Sequence, residues 1–219
     1  MTILNFLLLW KTTICVFFTE TWLTNDEKIN LPLFWDDHFV RPKKLKYGRN
    51  SGGISVFVKQ HMRPGIKVVS KAEGFFWLKL DKQFFGLDNH LFFCVCYIPP
   101  QNSVSLASVK VDYFKELSQD IAKFSNDGDI ILTGDLNSRV GHTPTVTNKC
   151  FGDLDNLLPS DSRIIADIPN RASCDSIQNQ YGRNLKKLCY NFNMHIANGR
   201  TPGDRLGNFT CFTPRGQYC

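Results

Sequence analysis

The 219-residue sequence lacks several features that would each have pointed to a class of protein. It has no low-complexity tract, no long block of like charge and no internal repeat, which excludes disordered, tail-like and repeat architectures. Its eight cysteines, Cys15, Cys94, Cys96, Cys150, Cys174, Cys189, Cys211 and Cys219, include no C-x-x-C pair, so zinc-ribbon and thioredoxin-type sites have no support. Disulfide scaffolds belong mostly to shorter chains, so a reducing intracellular compartment, nuclear or cytoplasmic, is expected. The only long apolar stretch, Ile3 to Phe18, is interrupted by Lys11, follows no basic residue and precedes no small-residue cleavage site. It is also shorter than the ~20 apolar residues of a spanning helix, so membrane association is not expected. Residues 1–11 read as an unrelated or damaged leader, and Thr12 to Phe18 as the start of a buried strand.

What is present is the composition of a globular protein, 42% hydrophobic and 21% charged, long enough to bury a substantial core. The net charge of +6 and pI near 8.9 suit a phosphate-bearing partner, although net charge speaks to association and not to fold. Short runs rich in β-branched, aromatic and sulfur residues predict strands at Thr13–Phe18, Ile54–Val58, Phe75–Leu80, Leu91–Ile98, Asp129–Leu132, Met194–Ala197 and Asn208–Phe212. Asp88-Asn89 reads as a hairpin turn. Cys94 and Cys96, two apart in a strand, share a face. Apolar residues at helical spacing predict a helix between Leu106 and Phe124, capped by Ser105, and a second at Tyr181–Phe192. Thr143–Arg171, rich in Asp, Asn, Pro and Ser, reads as a surface loop. Helices leading into strands predict a layered α/β domain over residues 12–219.

Three strand ends carry chemistry. Ile130-Ile131-Leu132-Thr133-Gly134-Asp135-Leu136-Asn137 places a carboxylate and an amide two residues apart after an apolar strand. Asp135 is suited to taking a proton from water, and Asn137 to donating to a phosphoryl oxygen without adding repulsion. Phe17-Phe18-Thr19-Glu20-Thr21-Trp22 brings a second carboxylate, a hard oxygen ligand of the kind Mg²⁺ takes. Cys96-Tyr97-Ile98-Pro99-Pro100 ends a third strand in a phenol before prolines force the chain out of the sheet. Taken singly, each has a plainer reading as a turn, a solvated acid or an amphipathic core cap.

Together and in this order, with Gly52-Gly53-Ile54-Ser55-Val56-Phe57, G-D-L-N-S-R from Gly134 and N-G-R-T-P-G-D from Asn198, they resemble the endonuclease/exonuclease/phosphatase superfamily. Within it the sequence is most similar to endonuclease domains of non-LTR, LINE-like retrotransposons. The resemblance covers residues 12–219 and implies a four-layer α/β sandwich, two packed mixed sheets flanked by helices. It implies nicking of DNA with Mg²⁺, or Mn²⁺ in its place. By position it gives Glu20 as metal ligand, Tyr97 as active-site tyrosine, Asp135 as the residue that activates water and Asn137 as the phosphate holder. Thr210 and Arg139 fall near the DNA groove. No stable protein partner is implied.

Departures from the pattern matter as much. The family's first-strand asparagine has no counterpart here, because Asn5 lies in the wrong setting. The S-x-I-D and S-D-H segments do not appear, and His38, His61, His90, His142 and His195 match no part of them. The expectation is a fold incomplete at its N- and C-terminal strands, with little or no nuclease activity. Other substrates within the superfamily are a phosphoinositide, sphingomyelin or abasic DNA. The alternative to an enzyme is a decayed or domesticated nucleic-acid-binding remnant, using Lys43, Lys44, Lys46 and Arg49 around Tyr47 along a phosphate backbone.

Overall fold

A computed structural model describes residues 15–24, 27, 29–41, 51–101, 103, 111–142, 171–201 and 203–210. The chain forms two compact units, Met1–Leu136 and Asn137–Cys219. The leader, the basic segment around Lys43 and Lys44, the expected cap Ser105 with Leu106 and Val109, and residues 143–170 lie outside the described residues.

The first unit is built from two sheets. Strands β1 (Cys15–Thr19), β2 (Phe34–Phe39) and β3 (Ile54–Lys59) make an antiparallel sheet in the order β1-β3-β2. A 3-10 turn at Gln60–Gly65 then carries the chain to β4 (Ile66–Ala72) and β5 (Phe75–Leu80). These pair with β6 (His90–Tyr97) and β7 (Gly128–Asp135) in the order β4-β5-β6-β7, with β6 and β7 parallel.

Alternation along the strands decides which residues meet between the sheets. Ile54, Val56 and Val58 of β3 pack in one buried cluster with Phe76, Leu78 and Val95 of the larger sheet. Phe17 of β1 stacks on Phe93 of β6 at 5.0 Å, joining the two layers. The opposite face of the larger sheet is covered by α2 (Tyr113–Phe124), which follows α1 (Lys82–Phe85) in the chain. Phe124 lies 4.9 Å from both Trp77 and Phe92, and Trp77 Nε1 donates to Asp120 at 2.8 Å. Cys94 and Cys96 share that face, their sulfurs 3.5 Å apart. The expected α/β sandwich is therefore present.

Several expected elements are redrawn. Helix α2 begins at Tyr113, because Asp112 caps it through Lys115 N at 3.1 Å. Between β5 and β6 the chain makes α1, capped by Asp81 at Gln83 N and Phe84 N and closed by left-handed Gly86; Asp88-Asn89 is only the end of that connection. Strands β2 and β4 were not expected, since Asp36, Asp37 and two lysines obscure them. Asp37 is paired with Lys71 at 2.9 Å and Asp36 with His38 at 2.7 Å, which lets acidic residues sit in a strand. Lys67 and Lys71 lie on β4, an edge strand in the described sheet, where charge protects against further pairing.

In the second unit, α3 (Gln180–Asn191) begins and ends one residue earlier than the expected Tyr181–Phe192, is capped by Asn179 and buries Leu188 and Cys189. Met194–Ala197 forms no strand: Met194 N returns to Cys189 O at 2.8 Å as part of the helix ending. Residues 208–210 likewise carry no strand.

Candidate functional site

The site grows from the ends of three strands in the first unit. Parallel pairing sets Tyr97 directly beside Asp135, and Ile98 N donates to Asp135 O at 2.8 Å. Beyond the C-terminal ends of parallel strands an open α/β sheet presents ligand-binding groups. From the other sheet, β1 runs out into Glu20, whose carboxylate accepts a short hydrogen bond from the Tyr97 hydroxyl.

The local backbone explains why Glu20 turns inward. Glu20 and Trp22 both have positive φ, 55° and 53°, a conformation that non-glycine residues adopt only when their surroundings enforce it. Enforcement comes from Gly52-Gly53: Trp22 N donates to Gly52 O at 2.9 Å and Thr21 N to Gly53 O at 3.5 Å. A Cβ on Gly53 would come within 2.5 Å of Thr21 Oγ1, and one on Gly52 within 3.3 Å of the Tyr97 ring. The G-G-I-S-V-F motif is thus the mould for the T-E-T-W turn.

Burial raises the Tyr97 phenol well above the usual tyrosine range, and its bond to Glu20, the Glu20 charge and the Asp135 charge raise it further. Arg41 acts in the opposite direction. Tyr97 is therefore a protonated hydrogen-bond donor at any ordinary pH and is unsuited to act as a base.

Arg41 was not anticipated from the sequence. It is 7% exposed, and its Nε donates to Glu73 Oε1 at 2.8 Å and its Nη2 to the Tyr113 hydroxyl at 3.2 Å. Tyr113 in turn donates to Glu73 at 3.2 Å and packs edge-on to Phe75. A buried ion pair of this kind is held by several hydrogen bonds and fixes a cation behind Tyr97. The only clue in the sequence is a lone Arg before a proline; its partner Glu73 lies 32 residues away.

Glu20, Tyr97 and Asp135 are thus brought together. Asn137 opens the second unit, with φ of 48° and its carbonyl accepting from Asn179 Nδ2 at 2.8 Å. Arg139, expected near DNA, is engaged with Asp175 through two bonds of 2.8 and 2.7 Å. Thr210 is exposed. In the N-G-R-T-P-G-D stretch, Asp204 accepts from Gly199 N at 3.0 Å and Asn208 N at 2.9 Å, so this motif closes a loop on itself. His195 lies near Arg200, and burial together with that charge lowers its pKa.

A profile of the endonuclease/exonuclease/phosphatase family matches residues 14–217. The chain belongs to this family. A comparison with curated proteins returns no match. Members of the family generally use divalent metal ions. Among the described residues no group of three or more His, Cys, Asp or Glu forms a closed metal cage. Two nearby carboxylates still fit a hard divalent ion, which keeps several waters and takes one or two carboxylates together with substrate oxygens. The buried hydroxyl of Thr21, which has no hydrogen-bond partner, lies against Gly53. Among the described residues no helix is long and apolar enough to cross a membrane.

Proposed function

We propose that the chain is a divalent-metal-dependent phosphodiesterase acting on DNA, of the retrotransposon-endonuclease type, with weak activity as a 219-residue protein. The observation that carries this reading is the hydrogen bond from Tyr97 to Glu20 at the end of the strand pair that bears Asp135. The Y-I-P-P and N-G-R-T-P-G-D stretches support the retrotransposon type over the phosphatase and sphingomyelinase types.

In this mechanism Glu20 would hold the metal, Mg²⁺ by the hardness of its oxygen donors, and the metal would supply charge neutralisation at the phosphate. Asp135, exposed at the end of β7, orients water and takes its proton. Tyr97, held protonated, fixes the Glu20 carboxylate with its single O–H. The Arg41–Glu73 pair holds the Tyr113 hydroxyl, and the Arg41 charge acts on Tyr97 through space. The weak-activity reading rests on the departures of the sequence from the family's histidine motif; in the first unit, His38 is bonded to Ser55 and Asp36, and His90 lies by Asp81. Groups that act as a unit in catalysis fail together when one is missing.

The test is nicking of supercoiled plasmid with Mg²⁺. Slow nicking that stops with chelator and falls at least tenfold in both Asp135→Ala and Glu20→Ala is expected. Nicking indifferent to those substitutions would overturn the site, fast nicking would overturn the weak-activity reading, and neither nicking nor salt-dependent DNA binding would overturn DNA as substrate.

A further inference from the structure

Four separate stretches of the first unit meet around Tyr97. Arg41 follows β2, Gly52 precedes β3, the Glu73-Gly74 turn joins β4 to β5, and Tyr113 opens α2. Arg41 and Tyr113 are both buried. Arg41 donates to Glu73 Oε1 from Nε at 2.8 Å and again from Nη2, and Nη2 also reaches the Tyr113 hydroxyl at 3.2 Å. That hydroxyl donates its own hydrogen bond to the same carboxylate oxygen at 3.2 Å.

Both ends of this cluster meet Tyr97. Next to Glu73, Gly74 O accepts from Tyr97 N at 2.9 Å. A Cβ on Gly74 would lie 2.9 Å from the Tyr113 ring and 3.1 Å from Tyr97 O, so the turn, the helix start and the end of β6 are in close contact. At the other end the Arg41 stem and the Tyr97 ring both lie against Gly52. A Cβ there would be 3.2 Å from Arg41 Cδ and 3.3 Å from Tyr97 Cε1. Gly52 O in turn accepts from Trp22 N at 2.9 Å, within the turn that carries Glu20. Stability alone does not account for the ion pair. Taking two charges out of water costs about what their attraction returns, and apolar side chains often replace such a pair without loss. Apolar side chains cannot supply direction. The planar guanidinium fixes several bonds at once, and so fixes where its stem lies against Gly52.

We propose that Arg41 is a positioning residue of the metal site: anchored by Glu73 and Tyr113, it sets Gly52 against the Tyr97 ring and so aligns the Tyr97 hydroxyl with Glu20. It touches neither metal nor substrate and acts through Tyr97. This role rests on the phosphodiesterase reading, in which Glu20 holds the metal. Groups that orient a metal's ligand from behind are commonly worth about 10- to 100-fold in metal affinity or activity.

Binding of Mn²⁺ to the intact chain, read by its paramagnetic resonance without any substrate, tests this. Saturable binding that is abolished by Glu20→Gln is expected. Arg41→Met/Glu73→Gln removes the pair without leaving either charge buried. It should bind Mn²⁺ at least tenfold more weakly while unfolding at the wild-type urea concentration. Tyr97→Phe should lose as much, and adding it to the double variant should cost nothing further, because both changes act on one bond. Nicking of supercoiled plasmid should follow the same pattern in kcat, with KM for DNA unchanged within threefold. Tyr113→Phe removes one hydroxyl from the cluster and keeps the ring, so it should weaken Mn²⁺ binding at least twofold, and it decides the matter if the double variant does not fold. Wild-type affinity in the double variant, or in Tyr113→Phe, would overturn this inference and leave the Glu20 site standing. So would additive losses with Tyr97→Phe, since Arg41 would then act by another route. No Mn²⁺ binding by the wild type, or binding indifferent to Glu20→Gln, would overturn the metal site and this inference together.

Discussion

The two units of the chain reach order by different means. In the first, order comes from apolar burial: Val56, Phe57, Val58, Phe75, Phe76 and Trp77 are wholly inaccessible to water. In the second, only Val140, Leu188 and Cys189 among the described hydrophobic residues are buried, and the chain is held by polar closures. Asn179 alone serves three of them, accepting from Gly182 N and Arg139 N and donating to Asn137 O. Asp204 and the Arg139–Asp175 pair close the remaining loops. A core of interlocked rings loses contacts everywhere when one ring is removed, whereas a set of polar closures fails one loop at a time.

The sharpest way to break this comparison is a pair of truncations. Phe76→Ala in the inter-sheet core should cost about 3–5 kcal/mol, since it loses both transfer energy and packing around the cavity. Leu188→Ala should cost about 2 kcal/mol, the low end for leucine, because few buried neighbours surround it. Urea unfolding of both variants measures the difference. Equal losses would show that the second unit has an apolar core as cohesive as the first.

A second pair uses glycines that share a backbone conformation but not their surroundings. Gly53 has φ of +94° and its added Cβ would lie 2.5 Å from Thr21 Oγ1; Gly203 has φ of +97° and would meet nothing within 4 Å. Gly203→Ala should cost about 1 kcal/mol, the strain of the left-handed backbone alone. Gly53→Ala adds the clash and should cost about 2–3 kcal/mol. It should also lower any nicking activity, because it displaces the turn that aims Glu20. If thermal unfolding finds the two variants alike, the Gly52-Gly53 mould is not what shapes that turn.

The same contrast explains what could be read from the sequence. Ile54–Val58, Phe75–Leu80 and Leu91–Ile98 were legible because burial on both faces writes an apolar run. The strand Phe34–Phe39 was not, because its acids interrupt the apolar pattern: Asp36 is hydrogen-bonded by His38 of the same strand, and Asp37 is paired with Lys71, 34 residues away. Met194–Ala197 has the composition of a strand, yet its first amide is taken by the end of α3. In the site, Glu20, Tyr97 and Asp135 were visible because each follows an apolar strand in its own segment. Arg41 and Glu73 were invisible because neither has a local pattern and only the fold brings them together. Long-range polar pairs leave no periodic mark on a sequence, and the second unit depends on such pairs most.

The smallest predicted effect lies in one of those pairs and carries a pH signature. Arg139 makes two bonds to Asp175, whose side chain is 17% exposed against 30% for the arginine. The pair is partly solvated, so Arg139→Ala should cost only about 1 kcal/mol at neutral pH. The bond from Arg139 holds the Asp175 carboxyl below its ordinary value, assisted by the Ile177 amide. A lowered folded-state pKa gives stability that is present above the unfolded carboxyl's value of about 4 and is lost as pH falls through the folded value, because the unfolded chain takes up its proton first. The gap between wild type and Arg139→Ala should therefore be full at neutral pH and shrink below about pH 4. A gap that stayed constant into acid, measured by urea unfolding at a series of pH values, would mean that Arg139 contributes through packing of its stem and not through Asp175.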